Sequence, residues 1–305
     1  MLTAFPLLPL ATQEIPALGF GVGTSWYKCP DDRKPALMAA VKAALDAGFK
    51  HLDEAELYAN EDSTGVALQE WLADNPKTPR SSLFITSKVM SVDDGVENVC
   101  KRSLEALGCD YFDLYLVHAP FQKDGGKPFA TPLPELWQQM ESLVDNGYAR
   151  AIGVSNWRVC DLEAIYQGAR IKPCCNQIEA HPYLLQPKLE RYCADRDILL
   201  TAYAPLAPLT KLSGGPVDAA VDAAAAAHGA TPAQVLLRWC LQTGKGVLTT
   251  TGKPERLEEY KAAFDFELTP EEVAAITAAG AQQQRRLYWT QCSPMFQQDP
   301  TKEAD

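Results

Sequence analysis

Gly48-Phe-Lys-His-Leu-Asp53 is a short apolar run that ends in an ionisable side chain. Two more runs of the same form follow it in the chain: Leu83-Phe-Ile-Thr-Ser-Lys88 and Asp113-Leu-Tyr-Leu-Val-His118. Short apolar runs with polar ends are typical of buried strands in a parallel sheet, whose carboxyl ends lie along one edge. The three runs therefore predict that an aspartate, a lysine and a histidine meet at one edge of a sheet.

The rest of the chain repeats this pattern. Four later runs also end in polar residues, at 149–155, 174–179, 198–203 and 246–250. Stretches with helical spacing, such as 35–45 and 96–107, separate the runs, so strand and helix alternate. With a first strand at 17–21, eight such units fit in about 250 residues, the usual size of a TIM barrel, whose active site lies at the carboxyl ends of the strands.

We therefore predict an α/β protein, a (β/α)₈ TIM barrel that forms a single domain over residues 1–305. Residues 1–16 would form a covering arm, and residues 264–305 a C-terminal tail loop outside the barrel units. Residues 206–217 are rich in Pro, Gly and Ser and are predicted to form a long loop at the active edge. The alanine-rich stretch that follows, 219–228, is predicted to be helical.

A doubly wound sheet is the alternative fold. It would carry a glycine fingerprint between its first strand and first helix, with an acidic residue about twenty positions further on. The chain has Gly19-Phe-Gly21-Val-Gly23-Thr24 at that place, which lacks the last glycine, and it continues into Trp26-Tyr-Lys-Cys-Pro30, which does not begin a helix. These glycines therefore indicate a tight turn rather than a dinucleotide fingerprint.

Composition favours one compact cytoplasmic enzyme domain. The chain has 305 residues, 47% of them hydrophobic, and no apolar run approaches the ~18 residues of a membrane span. A net charge of −11 argues against nucleic acid or an anionic membrane as partner. The nine cysteines are odd in number and include no Cys-x-x-Cys pair, which favours reduced thiols over a disulfide framework or a metal site. The start of the chain lacks the basic region of a signal peptide.

The side chains at the predicted edge suit proton transfer to a carbonyl group. Tyr58 is a poor donor at neutral pH, since the pKa of a phenol is about 10, unless a cation stabilises the phenolate. Lys88 is the expected cation: at ~4 Å its charge contributes on the order of 4 kcal/mol, enough to bring the pKa of Tyr58 towards about 7. Asp53 would hold Lys88 charged, and His118 would orient a carbonyl oxygen by a hydrogen bond.

Taken singly, each of these four residues has an ordinary explanation as a cap, a rim aromatic, a surface charge or a core histidine. The set together favours carbonyl reduction, for which a cofactor must supply the hydride.

Six motifs in order along the chain resemble the aldo-keto reductase superfamily: Gly48-Phe-Lys-His-Leu-Asp-Glu-Ala-Glu-Leu-Tyr58-Ala-Asn-Glu61, Ile85-Thr-Ser-Lys88, Leu114-Tyr-Leu-Val-His118, Gly153-Val-Ser-Asn156, Asn176-Gln-Ile-Glu-Ala-His-Pro-Tyr183 and Thr201-Ala-Tyr-Ala-Pro-Leu206. The resemblance spans about residues 18–268. It implies a barrel that binds NADPH without a Rossmann domain and reduces small-molecule aldehydes and ketones. It also implies a catalytic tetrad of Asp53, Tyr58, Lys88 and His118, with Tyr58 as the general acid.

The same resemblance implies a cofactor site. Ser155, Asn156 and Gln177 would bind the nicotinamide carboxamide, and Tyr203 would stack on the nicotinamide ring. The other implied cofactor-binding residues are Gly23, Thr24, Ala204, Leu206, Thr250, Thr251, Lys253, Arg256 and Glu259.

The phosphate end departs from the family pattern, because Thr250 stands in place of the usual lysine and Tyr260 in place of the usual asparagine. Lys253 would restore the lost charge, and Arg256 is kept, so NADPH is expected rather than NADH. The stretch 249–256 is similar to fungal ketoreductases that act on β-keto esters and conjugated polyketones.

The substrate pocket is expected to involve Trp26, Ala119 and Phe121, with Trp289 and Cys292 as further walls. The alternative explanations are a place in the core at the barrel end for Trp26 and ordinary packing for the two tail residues. Many family members have an aromatic residue after the catalytic histidine, where this chain has Ala119. The smaller side chain is expected to leave space for substituted ketones such as keto esters, diketones and keto lactones.

Two other functions have to be considered. A cofactor-binding regulatory subunit of a membrane channel would keep the same motifs, but the chain has no long partner-binding extension. A lyase or isomerase on the same barrel would need a metal cluster or a phosphate loop without nicotinamide contacts, and the sequence shows neither. We expect a reductase that is a monomer or weak dimer.

Overall fold

The computed structural model describes residues 7–10, 13–122 and 126–290. An antiparallel hairpin of β1 (Leu7–Leu10) and β2 (Gln13–Pro16) comes first. Eight parallel strands then close into a barrel: β3 (Leu18–Gly21), β4 (His51–Asp53), β5 (Phe84–Val89), β6 (Phe112–Val117), β7 (Ala149–Ser155), β8 (Cys175–Glu179), β9 (Leu199–Tyr203) and β10 (Lys245–Thr249), with β10 pairing to β3. The prediction of a (β/α)₈ barrel is confirmed, and the doubly wound alternative is wrong.

Helices surround the strands and follow them in the chain. They are α1 (Lys34–Asp46), α2 (Glu61–Asp74), α3 (Val96–Leu107), α4 (Leu133–Asp145), α5 (Val159–Tyr166), α6 (Pro187–Ala194), α7 (Ala207–Thr210), α8 (Val217–His228), α9 (Pro232–Gln242), α10 (Glu255–Lys261) and α11 (Pro270–Ala281). Within the described residues, no helix has the length and apolar character needed to cross a membrane.

The register of the barrel brings the polar strand ends together. Gly21 pairs with Asp53 between β3 and β4, and Ser155 pairs with Gln177 between β7 and β8. Because all eight strands are parallel, their carboxyl ends lie at the same end of the barrel. Side chains that are far apart in sequence therefore become neighbours there.

The hairpin covers the opposite, amino-terminal end. Ile15 of β2 is 1% exposed and packs in a cluster with Phe84, the first residue of β5, and with Leu114 and Leu116 of β6. This agrees with the predicted covering arm for the described part of residues 1–16; residues 1–6, 11 and 12 lie outside the described residues.

Two loop predictions need correction. The predicted loop 206–217 contains α7, and α8 already begins at Val217. The predicted tail loop contains α11, which starts at a capping box: the Thr269 hydroxyl accepts from the Glu272 amide at 3.2 Å, and the Glu272 carboxylate accepts from the Thr269 amide at 2.8 Å. The Thr-Pro-Glu-Glu signal for this helix start was present in the sequence and was missed.

Candidate active site

Lys88 lies at the centre of the carboxyl end of the barrel and has no exposed surface. Its Nζ donates to Asp53 Oδ2 at 2.8 Å, to the Glu54 carbonyl oxygen at 2.7 Å and to the Tyr58 hydroxyl oxygen at 3.2 Å. An ammonium group has three donors, and each one is used here. The predicted contact between Lys88 and Tyr58 is therefore present, and its geometry is fixed by Asp53 and the backbone.

Tyr58 ends a single turn of 3₁₀ helix, Glu56–Tyr58, that follows β4. Its half-buried ring lies directly against Gly23, where a Cβ atom would stand 2.6 Å from Tyr58 Cζ. Gly23 is thus needed for space beside the phenol. Because Lys88 donates to the Tyr58 oxygen, the phenolic proton is available for another acceptor.

The predicted lowering of the pKa of Tyr58 is wrong for this structure. Burial, followed by the negative charges of Asp53 and Glu54 and by Tyr288, raises the pKa of Tyr58 well above its ordinary value. The nearby lysine does not offset these effects, because its charge is paired with Asp53 at 2.8 Å. Tyr58 therefore carries its proton at neutral pH, as a proton donor must.

His118 lies just after β6 and is 4% exposed. Its ring meets the Tyr58 ring edge to face, with centroids 5.6 Å apart. Its backbone amide donates to Val89 O at 2.8 Å, and its carbonyl oxygen accepts from Asn156 Nδ2 at 2.9 Å. The imidazole is thus placed beside the phenol, where both groups can reach one oxygen atom.

A network of amides and hydroxyls occupies the ends of β7, β8 and β9. Ser155 Oγ donates to Gln177 O at 2.8 Å, and Asn156 Nδ2 donates to Ser155 Oγ at 3.0 Å. The Tyr203 hydroxyl donates to Asn156 Oδ1 at 2.7 Å. The four residues predicted to contact nicotinamide are therefore adjacent and form one polar surface.

Asp53 joins this network to Lys88 and Tyr58, which together are called the candidate acid centre. Its Oδ2 accepts from Lys88, and its Oδ1 accepts from Gln177 Nε2 at 2.8 Å. The sequence places Asp53 and Gln177 124 residues apart, and nothing in it indicated this bond. One carboxylate thus orients both Lys88 and the side-chain amide of Gln177.

The backbone has left-handed conformations next to the amide network. Asn156 has φ 63° and Ala204 has φ 55°, which is uncommon for residues other than glycine. Ala204 and Leu206 are half-buried after β9, Gly23 is half-buried after β3, and Thr24 is exposed. These positions surround the polar surface, so the predicted cofactor residues from β3, β7, β8 and β9 are brought to the same end of the barrel.

The predicted phosphate residues follow β10. Lys253 and Arg256 are exposed, and Thr251 Oγ1 accepts from the Lys253 amide at 3.0 Å. Thr250 Oγ1 is buried and has no hydrogen-bond partner among the described residues. Glu259 instead accepts from the Thr231 hydroxyl at 2.7 Å, so in this structure it ties α10 to the start of α9.

An apolar wall lies beside His118. Ala119 and Phe121 form a buried cluster with Met90, and Leu57 and Trp289 pack against it. The Trp289 ring is 5.5 Å from the His118 ring and 5.7 Å from the Phe121 ring. The expected open space at Ala119 is absent, because Ala119 has no exposed surface.

Two further predictions for the pocket have different outcomes. Trp26 is 4% exposed and belongs to the main core. It packs beside Gly252, where an added Cβ would stand 3.4 Å from its ring, and it is not part of the wall beside His118. Tyr27, which sequence reasoning missed, meets the Tyr58 ring instead at 6.5 Å. Cys292 lies outside the described residues.

A family model described as the Aldo/keto reductase family matches residues 17–281. The chain belongs to the aldo/keto reductase family. The resemblance seen in the sequence motifs is thereby confirmed. Among the described residues of this aldo/keto reductase, no group of three or more His, Cys, Asp or Glu side chains could hold a metal ion.

The aldo/keto reductase is similar to two fungal reductases over most of its length. It is 37% identical to the NAD/NADP-dependent indole-3-acetaldehyde reductase of Schizosaccharomyces pombe, over 90% of this chain and 95% of the relative. It is 35% identical to the NADPH-dependent alpha-keto amide reductase of Saccharomyces cerevisiae, over 90% of this chain and 91% of the relative.

Among solved structures, the aldo/keto reductase matches one from Bombyx mori in complex with NADP. The TM-score is 0.83 at 31% identity, over 90% of this chain and 92% of the other. Sequence and fold comparisons thus agree on the family.

Proposed function

We propose that this aldo/keto reductase reduces aldehydes and ketones to alcohols with NADPH, and that Tyr58 is the general acid. The observation that carries the proposal is the contact of Lys88 Nζ with the Tyr58 hydroxyl oxygen at 3.2 Å, with Asp53 and the Glu54 carbonyl fixing the lysine. This arrangement gives a protonated phenol whose conjugate base has a cation beside it.

The residues act on the carbonyl oxygen as follows. His118 and Tyr58 hold that oxygen by hydrogen bonds, which polarises the carbonyl. When bound, NADPH supplies the hydride. Tyr58 then gives its proton to the developing alkoxide. Lys88 stabilises the phenolate that forms, and Asp53 keeps Lys88 in place. The high pKa of Tyr58 is compatible with this role, since an alkoxide is a much stronger base than a phenolate.

The residues present fit an NADPH molecule at both of its ends. Ser155, Asn156 and Gln177 offer amide and hydroxyl groups suited to a carboxamide. At the other end, Lys253 and Arg256 are exposed cations that would hold the 2′-phosphate. Thr250, three residues before Lys253, has a buried hydroxyl without a hydrogen-bond partner among the described residues. This positive charge in a chain of net charge −11 supports NADPH as the preferred cofactor.

The substrate class follows from the wall beside His118. Phe121 and Trp289 present apolar surface next to the catalytic pair, which suits ketones with apolar substituents as well as aldehydes. We include keto esters, diketones and keto lactones in this class. Because Ala119 is buried, the size limit is set by Trp289 rather than by space at Ala119.

We further propose that the enzyme works in the cytosol as one domain and as a monomer or weak dimer. The eight described cysteines are free thiols, which supports a reducing compartment. Cell fractionation and sedimentation of the purified protein test these two statements directly.

The decisive experiment compares wild type with Tyr58→Phe. Tryptophan fluorescence is titrated with NADPH and NADH, and NADPH consumption is followed with an α-diketone, a β-keto ester and an aldehyde. Tyr58→Phe should keep NADPH binding and lose about 10²–10⁴-fold in kcat. Tyr111→Phe is the matched control, because Tyr111 precedes β6 at the opposite end of the barrel.

Each alternative outcome has a meaning. Binding of NADPH without turnover of any carbonyl would favour a regulatory subunit over an enzyme. An equal or better kcat/KM with NADH would refute the preference for NADPH. Full activity of Tyr58→Phe would remove Tyr58 from the mechanism.

A further inference from the structure

The segment after α11 returns to the carboxyl end of the barrel, where one buried side chain binds two of its backbone amides. Glu179, the last residue of β8, has no exposed surface. Its Oε1 accepts from the Leu287 amide at 2.8 Å, and its Oε2 accepts from the Tyr288 amide at 3.0 Å. Both carboxylate oxygens therefore bind consecutive backbone amides of residues 287 and 288.

The orientation of this carboxylate is fixed. His181 Nε2 lies 3.0 Å from Glu179 Oε1, within hydrogen-bonding distance. His181 has no exposed surface either. The strand continues from Gln177 of the amide network to Glu179, so the same rigid strand carries the cofactor surface and the attachment of the segment.

The segment places two aromatic rings at the catalytic centre. The Trp289 ring lies 5.5 Å from the His118 ring, and the Tyr288 ring lies 5.6 Å from the Tyr203 ring. Both are half-buried. Trp289 follows directly after the two residues whose amides Glu179 binds, so those hydrogen bonds fix the backbone that carries the ring.

Other contacts hold the chain just before this point. The Arg285 amide donates to Tyr183 O at 2.6 Å, and Arg286 Nη2 donates to Gln186 Oε1 at 3.1 Å. These bonds end at residue 286. In the described part of the chain, the hydrogen bonds recorded for the amides of residues 287 and 288 are those to Glu179.

We propose that Glu179 is a positioning residue that determines carbonyl specificity, because it holds Trp289 against His118. The statement rests on the proposed reductase function. Glu179 does not contact the reacting atoms; it sets how much room a carbonyl substituent has beside them. Large ketones are the substrates whose binding should depend on it most.

The test uses Glu179→Ala with a matched control. Glu141 of α4 is 7% exposed, and its Oε1 accepts from the amides of Arg170 and Ile171 at 2.6 and 2.9 Å, on the outer layer of the barrel. Glu141→Ala therefore removes the same kind of contact from another place. Trp289→Ala removes the ring that Glu179 is proposed to hold.

The first readout is trypsin cleavage after Arg285 or Arg286, followed by mass spectrometry of the full chain. Each lost hydrogen bond to a charged group favours local opening, and cleavage follows the open population, so Glu179→Ala should be cut about tenfold faster or more. Glu141→Ala should be cut at this site at the wild-type rate. This readout does not depend on enzyme activity.

The second readout is kcat and KM for a small aldehyde and a bulky β-keto ester. Glu179→Ala and Trp289→Ala should change the ratio of kcat/KM for the two substrates in the same direction, by about fivefold or more, mostly through KM of the bulky substrate. Glu179→Gln keeps one acceptor oxygen and should lie between wild type and Glu179→Ala; it also serves if Glu179→Ala does not fold.

Three results would overturn the proposal: unchanged cleavage in Glu179→Ala, an equal change in Glu141→Ala, or faster cleavage with an unchanged substrate ratio. Absence of turnover by the wild type would overturn the proposed function and the specificity statement together, and the trypsin result would still decide whether Glu179 holds the segment.

Discussion

Replacing Lys88 with methionine should destabilise the barrel, and adding Asp53→Asn to that variant should recover part of the loss. Lys88 Nζ and Asp53 Oδ2 are 2.8 Å apart, with side-chain exposures of 0% and 4%. At an effective dielectric near 20, this separation corresponds to an attraction of about 6 kcal/mol. Removing one partner of such a buried pair leaves the other charge unpaired and costs about 3–5 kcal/mol. For a chain of 305 residues this is a fall in Tm of about 5–8 °C.

Differential scanning fluorimetry and urea unfolding of the wild type, both single variants and the double variant give the coupling energy. The free energy of unfolding of the double variant should be about 2 kcal/mol higher than the value predicted by adding the two single-variant losses. Turnover should be lost in Lys88→Met and should not return in the double variant, because the phenolate of Tyr58 still lacks its cation. If the two single effects simply add, the pair does not interact as its geometry indicates, and the account of the acid centre is wrong.

Three more predictions follow from single residues. Gly23→Ala should lower kcat about tenfold or more, since the added Cβ would stand 2.6 Å from Tyr58 Cζ and must displace that ring. Gly168→Ala should not change steady-state kinetics, because its added Cβ meets no atom of the described residues within 4 Å. Burial lowers the pKa of His51 to about 4, so the unfolded chain takes up this proton at a higher pH than the folded protein does, and stability decreases as the pH is lowered. Urea unfolding of wild type should show a loss of about 2 kcal/mol from about pH 6.5 down to about pH 4.5, and His51→Gln should lack this loss. Arg256→Ala should raise the Kd for NADPH about tenfold and leave that for NADH nearly unchanged, as measured by fluorescence titration; equal effects on both would place Arg256 away from the 2′-phosphate.

Local patterns in the sequence were sufficient to predict the architecture and the meeting of Asp53, Lys88 and His118 at one end of the barrel. Each strand is a short apolar run, and parallel packing brings the ends of all such runs to one end of a barrel. Asp53, Lys88 and His118 each stand at or next to the end of a run, so their proximity follows from the fold class alone. The order of the motifs was likewise enough to indicate the family.

Other features depend on contacts that no local pattern contains. The pKa of Tyr58 is raised by burial and by charges from several segments, although the sequence pointed to Lys88 and a lowered pKa. Trp26 was a candidate pocket wall, yet it is buried in the main core, and the next residue, Tyr27, meets the Tyr58 ring.

The sequence by itself determined the alternation of strand and helix, the family, and which ionisable groups stand at the active end, since these depend on periodicity and on the order of residues. Only the tertiary structure decided how those groups are tuned and enclosed. The bond from Leu287 to Glu179 spans 108 residues, and the bond from Gln177 to Asp53 spans 124. Such contacts depend on the distances between folded segments, and closure of the barrel sets those distances.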